Sequence, residues 1–281
     1  MNLSKGSPDL DNQLAAVAEA FSHKAQVYDE FGRDHIHLTR MRQKVRGHVL
    51  SHLKASDSIL ELNAGTGLDA VFFAQRGHEV LATDISTAML AQIEKKTIRY
   101  GLNDKIKIQQ CSFSDLEQIH SGPFDYVFSN MGGINCFPDL EKITSNLAAL
   151  LTPGGYVTWV VMPPICPWEI AMILRGDFKT AARRFSPNGT IANVEGVRFR
   201  TYYYSPKRVI QAFGTSFRPV HLQGLSVLTP PADRKEFPIK FPRLYKILVS
   251  IDRTLSNYPP FNRWGDFYII TLRYLPDENA S

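Results

Sequence analysis

No run of about 18 apolar residues occurs in the 281-residue chain, so a membrane-spanning helix is not expected. Cysteine is scarce. Cys111, Cys136 and Cys166 are odd in number and far apart, which argues against a disulfide framework and a CxxC metal site, and they read as reduced structural thiols with no metal to hold. Internal repeats and low-complexity segments are lacking. With 44% hydrophobic and 21% charged residues a disordered class is excluded, and the length suffices for one large core or one core plus a cap. The opening Met1-Asn-Leu-Ser-Lys-Gly-Ser7 has no apolar stretch of the signal-peptide kind, and a cytoplasmic protein is expected. The formal net charge of +5 is modest but unevenly placed: from Arg175 to Arg208, eight Lys or Arg stand against Asp177 and Glu195. Such a segment suits an anionic acceptor, a membrane surface or nucleic acid, and equally a solvated helix face.

What is present begins at Ser58-Ile-Leu-Glu-Leu-Asn-Ala-Gly-Thr-Gly-Leu68, followed by Val80-Leu-Ala-Thr-Asp-Ile-Ser86. Ile59, Leu60 and Leu62 make a short apolar strand, Gly65 and Gly67 permit a tight turn against a ligand, and Asp69 to Gln75 opens a helix. Asp84 closes the next strand where an open α/β sheet places a carboxylate for ribose hydroxyls. Two ribose-bearing cofactors compete. Gly65-x-Gly67-x-x-Ala70 satisfies a loose dinucleotide pattern, which admits NAD and an oxidoreductase. Glu61 opposes it, since a carboxylate at the strand end repels a pyrophosphate and suits an ammonium or sulfonium, as in S-adenosylmethionine.

These segments resemble the class I S-adenosylmethionine-dependent methyltransferases of small-molecule type. The acid-x-Gly-x-Gly-x-Gly motif of that family is matched by Glu61, Gly65 and Gly67, with Asn63 at the first glycine position. Cys111-Ser-Phe-Ser-Asp115 is similar to the segment that meets adenine, Phe124-Asp-Tyr-Val-Phe-Ser-Asn130 to the fourth strand, and Leu150-Leu-Thr-Pro-Gly-Gly155 to the turn into the fifth. The resemblance covers about residues 55 to 162. It implies a cofactor site of Tyr28, Glu61, Asn63, Gly65, Gly67, Asp84, Ile85, Met89, Ser112, Phe113, Asn130 and Met131. Beyond the fourth strand, Gly132, Gly133, Ile134 and Asn135 are implied as the acceptor floor. Phe21 to Asp29 is similar to the segment that runs over the methionine moiety.

The alternation of strand and helix predicts an α/β fold, a doubly wound, mainly parallel, seven-stranded Rossmann-like sheet with N-terminal helices and an inserted cap after the fifth strand. Residues 1–54 form a helical cover, with 1–10 disordered and helices over Gln13–Tyr28 and Leu38–Leu53. Residues 55–162 form the cofactor core and 163–204 the substrate cap, helical to about Phe185 and then a strand over Val197–Tyr204. Residues 205–281 complete the sheet with two antiparallel strands, His221–Leu228 and Asp266–Tyr274, around an amphipathic helical insertion. The stripe Leu244, Ile247, Leu248, Ile251, Leu255 in that insertion reads as core, while Phe237, Phe241 and Tyr245 beside basic residues leave peripheral membrane contact open.

Methyl transfer is a direct displacement in which positioning dominates and a base is optional. His37 and Glu169 are carried as weak candidates for a catalytic base, ahead of His35 and the tyrosines 202–204. Gly133, Asn135, Trp168 and Tyr203 are carried as substrate-binding residues, and the aromatics suggest an aromatic or lipophilic small-molecule acceptor, methylated at oxygen or carbon. A nucleic-acid acceptor is not expected, because the fourth strand ends Ser129-Asn130-Met131-Gly132 rather than in an Asn-Pro-Pro-Tyr type signature. A non-catalytic S-adenosylmethionine-binding or membrane-associated protein is the remaining alternative, and the sequence does not indicate an oligomeric state.

Overall fold

Short apolar runs bracketed by turn residues become the strands of one sheet in the computed structural model, which describes residues 8–276. Three helices come first: α1 (Pro8–Lys24), α2 (Tyr28–Arg33) and α3 (Ile36–Leu50). The alternating core follows as β1 (Ser58–Leu62), α4 (Leu68–Ala74), β2 (Glu79–Asp84), α5 (Thr87–Tyr100), β3 (Ile106–Gln110), β4 (Phe124–Ser129), α6 (Leu140–Leu150) and β5 (Leu151–Val161). Then come α7 (Pro167–Ile170), α8 (Phe178–Ala182), β6 (Thr190–Val194), β7 (Val197–Thr201), α9 (Pro206–Phe213) and β8 (Phe217–Leu225). The chain ends with α10 (Phe237–Lys240), α11 (Pro242–Leu255) and β9 (Phe267–Tyr274).

The seven-stranded sheet has the order β3-β2-β1-β4-β5-β9-β8, with β9 antiparallel to both neighbours. The chain winds outward from β1 in both directions, so a crevice opens between β1 and β4 at their C-terminal ends. Alternation along each strand divides the core. Leu60, Leu62, Val127 and Trp159 face α6 and α9, while Ile59, Tyr126, Phe128 and Val160 face α3 and α4. Glu61 has the parity of Ile59 and therefore points toward α3 and α4.

Local chemistry sets the boundaries. Ser86 caps α5 through its Oγ and Gly101 ends that helix in the left-handed region, while Asp139 caps α6. Thr152-Pro-Gly-Gly155 is a bulge inside β5 rather than a turn ahead of it, and pairing with β4 shifts register there.

Several expectations are corrected. Of residues 1–10, residues 8–10 belong to α1, and 1–7 lie outside the described residues. The single helix expected over Gln13–Tyr28 is broken by a turn at 25–27, so Tyr28 starts α2. The helical stretch expected to Phe185 is interrupted where Gly176, at φ 74°, stops one turn and Asp177 caps α8. A hairpin, β6–β7, replaces the single strand expected over Val197–Tyr204. Glu195 and Gly196 form its tight turn at φ 50° and 87°.

The stripe on α11 is not core. Leu244, Ile247 and Ile251 are 47%, 56% and 39% exposed, and the helix buries Tyr245 and Asp252 instead. Asp252 explains this orientation, since its carboxylate accepts from the Leu228 N–H at 2.7 Å, the Thr229 N–H at 3.0 Å and the Thr229 hydroxyl at 2.7 Å. Asp252→Ala leaves three donors without a partner, and urea unfolding should register a loss of about 2–4 kcal/mol. A loss below about 0.5 kcal/mol would show that the helix is held by its apolar contacts alone.

Candidate functional site

At the carboxyl ends of β1, β2 and β4 lies a cavity with about 1020 Å³ of empty space, part of it open to solvent. The glycine turn forms one wall: Gly65 and Gly67 take φ of 57° and 77°, and a Cβ on Gly67 would sit 2.9 Å from Ile93. Gly67 does not line the cavity; it lets α4 start close against α5.

Of the residues expected at the cofactor, Tyr28, Glu61, Asn63, Gly65, Asp84, Ile85, Met89, Ser112, Phe113, Asn130 and Met131 all line this one cavity, and so does Gly133. Asp84 is held by the Gly65 and Ser86 N–H groups, each at 2.9 Å. Burial raises its carboxyl above the usual carboxylate range while the Ser86, Gly65 and Ile85 N–H groups pull it back. Asn63 adopts φ 49°, and its amide ties the strand ends together: Nδ2 donates to the Asn130 carbonyl at 3.0 Å and Oδ1 accepts from Ser129 Oγ at 2.5 Å.

Charge is concentrated under the cavity floor. Glu61 is 2% exposed, and its Oε2 has no hydrogen-bond partner. Burial, reinforced by Asp69, pushes its carboxyl well above the usual carboxylate range, against the pull of Arg46 and Arg42. Burial alone would also raise Asp69, but Arg42 and Arg46 hold it below its ordinary value, and it accepts from Arg46 Nε at 2.6 Å and from Asn130 Nδ2 at 2.8 Å. One carboxylate is thereby fully engaged, while its neighbour is pushed upward and has one oxygen without a hydrogen-bond partner.

The other wall is apolar. Leu14, Val17 and Phe21 of α1 line it with Phe113 and Leu116, while Met131 packs with the α3–α4 side. Sequence reasoning missed Arg42, Asp69, Leu14 and Val17 as lining residues. Asp69 stood in view two residues beyond Gly67, whereas Arg42 is one of several basic residues on α3 and only its register on the helix singles it out.

The remaining candidates lie elsewhere. Asn135 is fully buried and bridges chain segments, donating to the Met162 and Tyr202 carbonyls at 3.1 and 2.6 Å. Trp168 Nε1 donates to the Leu228 carbonyl at 2.6 Å, and the Tyr203 hydroxyl pairs with Thr190. His37 is buried between the Tyr245 hydroxyl and Ser226, each at 2.9 Å, and burial, aided by His35 and Arg40, pushes it down to about 3. It is a neutral structural bridge. His35 caps α3. Glu169 is engaged by Arg183 and Arg184, and Arg184 reaches on to Asp266 at 2.9 Å. Cys166, Glu169 and Asp266 come close enough to suggest a metal site, but the Arg184 guanidinium already occupies the space between the two carboxylates. The basic run from Arg175 is thus partly internal, with Arg208 also paired to Glu141. No residue of 163–204 lines the cavity, yet the β6–β7 hairpin supports α1, Phe199 packing on Phe21 with ring centroids 6.0 Å apart.

A family model described as a methyltransferase domain matches residues 59–155. The chain is 30% identical over 193 residues to a demethylmenaquinone methyltransferase of Thermus thermophilus, an alignment covering 67% of this chain and 82% of that one. It is 33% identical over 114 residues to an uncharacterised Synechococcus protein, covering 40% of this chain and 27% of that protein. The fold superposes on a geranyl diphosphate C-methyltransferase of Streptomyces coelicolor A3(2) with a TM-score of 0.56 at 14% identity, over 85% of this chain and 81% of that one.

The cavity's geometry is sensitive at one point. A Cβ on Gly133 would lie 2.2 Å from Asn63 Cγ, whose amide is already committed on both sides. Gly133→Ala should therefore cost about 1–3 kcal/mol by overpacking, read as a lowered melting temperature. An unchanged melting curve would mean that Asn63 is free to swing aside.

Proposed function

We propose, given that the chain belongs to the S-adenosylmethionine-dependent methyltransferases, that it moves the methyl group to a small, lipophilic, electron-rich aromatic acceptor of the quinol or phenol class. The observation that carries this reading is the polarity of the cavity lining: the acidic side chains Glu61, Asp69 and Asp84 with Arg42, set against the apolar α1 side chains Leu14, Val17 and Phe21. The residues suit the cofactor. Glu61, with an unpartnered buried oxygen, fits an ammonium group. Asp84 at the end of β2 fits the ribose hydroxyls, Ser112 and Phe113 the adenine, and Arg42 beside Tyr28 and Asp69 the amino-acid carboxylate. We assign residues 55–162 as the cofactor core and the hairpin of 163–204 as the support that holds α1 over the acceptor. When bound, the cofactor supplies an electrophilic methyl carbon. The protein's part is to orient the acceptor and exclude water from the gap.

The acceptor class follows from what the lining offers for proton removal. Among the described lining residues there is no histidine, Asp69 is saturated by its partners, and burial pushes the Cys111 and Cys136 thiols up to about 12. An acceptor that brings its own acidity or electron density suits such a wall better than an aliphatic alcohol. A demethylated quinone is the acceptor named for the Thermus thermophilus relative, and the apolar wall of α1 is compatible with that chemistry. The nicotinamide alternative is set aside by the match to the methyltransferase domain over residues 59–155 and to the Thermus thermophilus methyltransferase.

The reading is tested by S-adenosylhomocysteine release with a panel of reduced naphthoquinones, benzoquinols, phenols and, for contrast, transfer RNA. Turnover is expected with a lipophilic quinol or phenol, and Asp84→Ala should weaken cofactor binding by about 1.5–3 kcal/mol, the worth of hydrogen bonds to a charged group. Turnover with the RNA alone would overturn the acceptor class, and unchanged affinity in Asp84→Ala would remove that residue from the site.

Glu61 also makes binding pH-dependent. Its folded-state value is raised, so the unliganded protein holds a proton there above the ordinary carboxylate range, and a cationic ligand favours the ionised form. Binding should release a proton, and affinity should rise with pH across that window. Calorimetry in buffers of different ionisation enthalpy reads the release directly; Glu61→Gln should abolish the buffer dependence, and its persistence would place the proton elsewhere.

A further inference from the structure

α11 presents outward the face that its sequence marks as apolar. Leu244, Ile247 and Ile251 follow one another at three- and four-residue spacing, and Phe241 precedes them at 53% exposure. The helix runs roughly 21 Å along the surface at 1.5 Å per residue. Arg243, Lys246 and Arg253 are exposed along its flank, and none has a carboxylate within ion-pair reach among the described residues. An apolar ridge with an unneutralised basic flank has the chemistry of a helix that lies in a lipid interface.

We infer that α10–α11 is a docking face for an anionic membrane surface, which positions the cavity mouth to receive a lipophilic acceptor. Charge decides between this occupant and a second copy of the chain. A symmetric contact through the ridge would bring two sets of unpaired cations into one low-dielectric interface, whereas anionic headgroups neutralise them. The face is also linked to the cavity lining through α3 and α2. His37, next to the exposed Ile36, hydrogen-bonds Tyr245 on the inner side of α11, and Arg40 donates to the Val249 carbonyl. One turn earlier, Phe31 is 45% exposed and packs on His35, while Tyr28, at the start of the same helix α2, lines the cavity. Lys24 Nζ lies over both rings, 5.9 Å from Tyr28 and 5.5 Å from Phe31. α3 and α2 thus connect the exposed face to the cavity lining. The purpose assigned to docking rests on the lipophilic-acceptor reading, but docking itself is measured without turnover, so the two fail separately.

The test is co-sedimentation of the full chain with vesicles of phosphatidylcholine alone and of phosphatidylcholine with phosphatidylglycerol. Binding is expected to the anionic vesicles and to weaken as salt is raised. Arg243→Ala and Lys246→Ala should each lower partitioning roughly fivefold. The double variant Leu244→Glu, Ile247→Glu should abolish it, with melting temperature and S-adenosylhomocysteine affinity unchanged because both positions are exposed. Protein that stays in the supernatant with both vesicle types, or binding indifferent to the variants, overturns the proposal. Light scattering that shows a dimer dissociated by Ile247→Glu overturns it as well, and gives the ridge to a second copy.

Discussion

Burying three carboxylates at one end of a parallel sheet is the constraint on which the rest of the structure depends. Glu61, Asp69 and Asp84 are 2%, 5% and 7% exposed; Asp84 is met by the Gly65 and Ser86 N–H groups, whereas Glu61 and Asp69 are faced by cations brought from outside the β-α-β unit. α3 supplies them. Arg46 reaches Asp69 and also donates to the Leu68 carbonyl at 2.5 Å, which locks the helix onto the start of α4. Arg42, one turn earlier on the same face, lowers Asp69 further. The result is unequal: Asp69 is ionised and satisfied, while Glu61 is driven upward by burial and by Asp69. Buried ion pairs contribute little net stability, so what the arrangement sets is the unequal behaviour of the two carboxylates rather than the depth of the fold.

Of the N-terminal helices, α3 packs Met41, Val45 and Val49 into the core, whereas α1 and α2 are tied down by polar contacts and, for α1, a small apolar cluster. Asp29 of α2 accepts from Thr66 Oγ1 at 2.6 Å and pairs with Lys96 of α5 at 2.5 Å, so α2, the glycine turn and α5 share one knot. Ser22 of α1 hydrogen-bonds Ser86 at 2.8 Å, and Gln13 donates to the Cys136 and Arg200 carbonyls at 3.0 and 2.7 Å. These contacts place α1 and α2 over the cavity. Polar knots with few apolar contacts around them open more easily than a packed core, which suits segments that must admit and release a small molecule.

Legibility in the sequence followed the range of the interactions involved. The β-α-β unit around Gly65 and Gly67 and the order of the core strands could be read because each depends on local patterning: a period of two in the strands and a positive-φ glycine at a turn. Eleven expected cofactor residues gather in one cavity for the same reason, since strand ends converge wherever a parallel sheet reverses its order. Arg42 was hidden because its role depends on the packing angle of α3, which no periodicity encodes. Trp168, Tyr203 and Glu169 were read as ligand-facing because aromatic and acidic residues in a cap suggest contact chemistry. Tertiary pairing instead turned them inward, to Leu228, to Thr190 and to the Arg183–Arg184 pair. The stripe on α11 misled in the opposite sense, because amphipathicity identifies two faces without stating which one meets the protein.

That ambiguity bears on how the molecule divides its labour. The charged wall is built from strand ends and from helices locked by arginine, and its geometry has little freedom. The apolar wall comes from α1, whose position is set by the β6–β7 hairpin through Val17, Ala20 and Phe199. A change of residue in that small cluster alters where Leu14, Val17 and Phe21 stand without touching a carboxylate. The apolar wall can therefore vary in shape while the charged wall stays constant, and the hairpin, though it contributes no lining residue of its own, is the element through which that shape is altered.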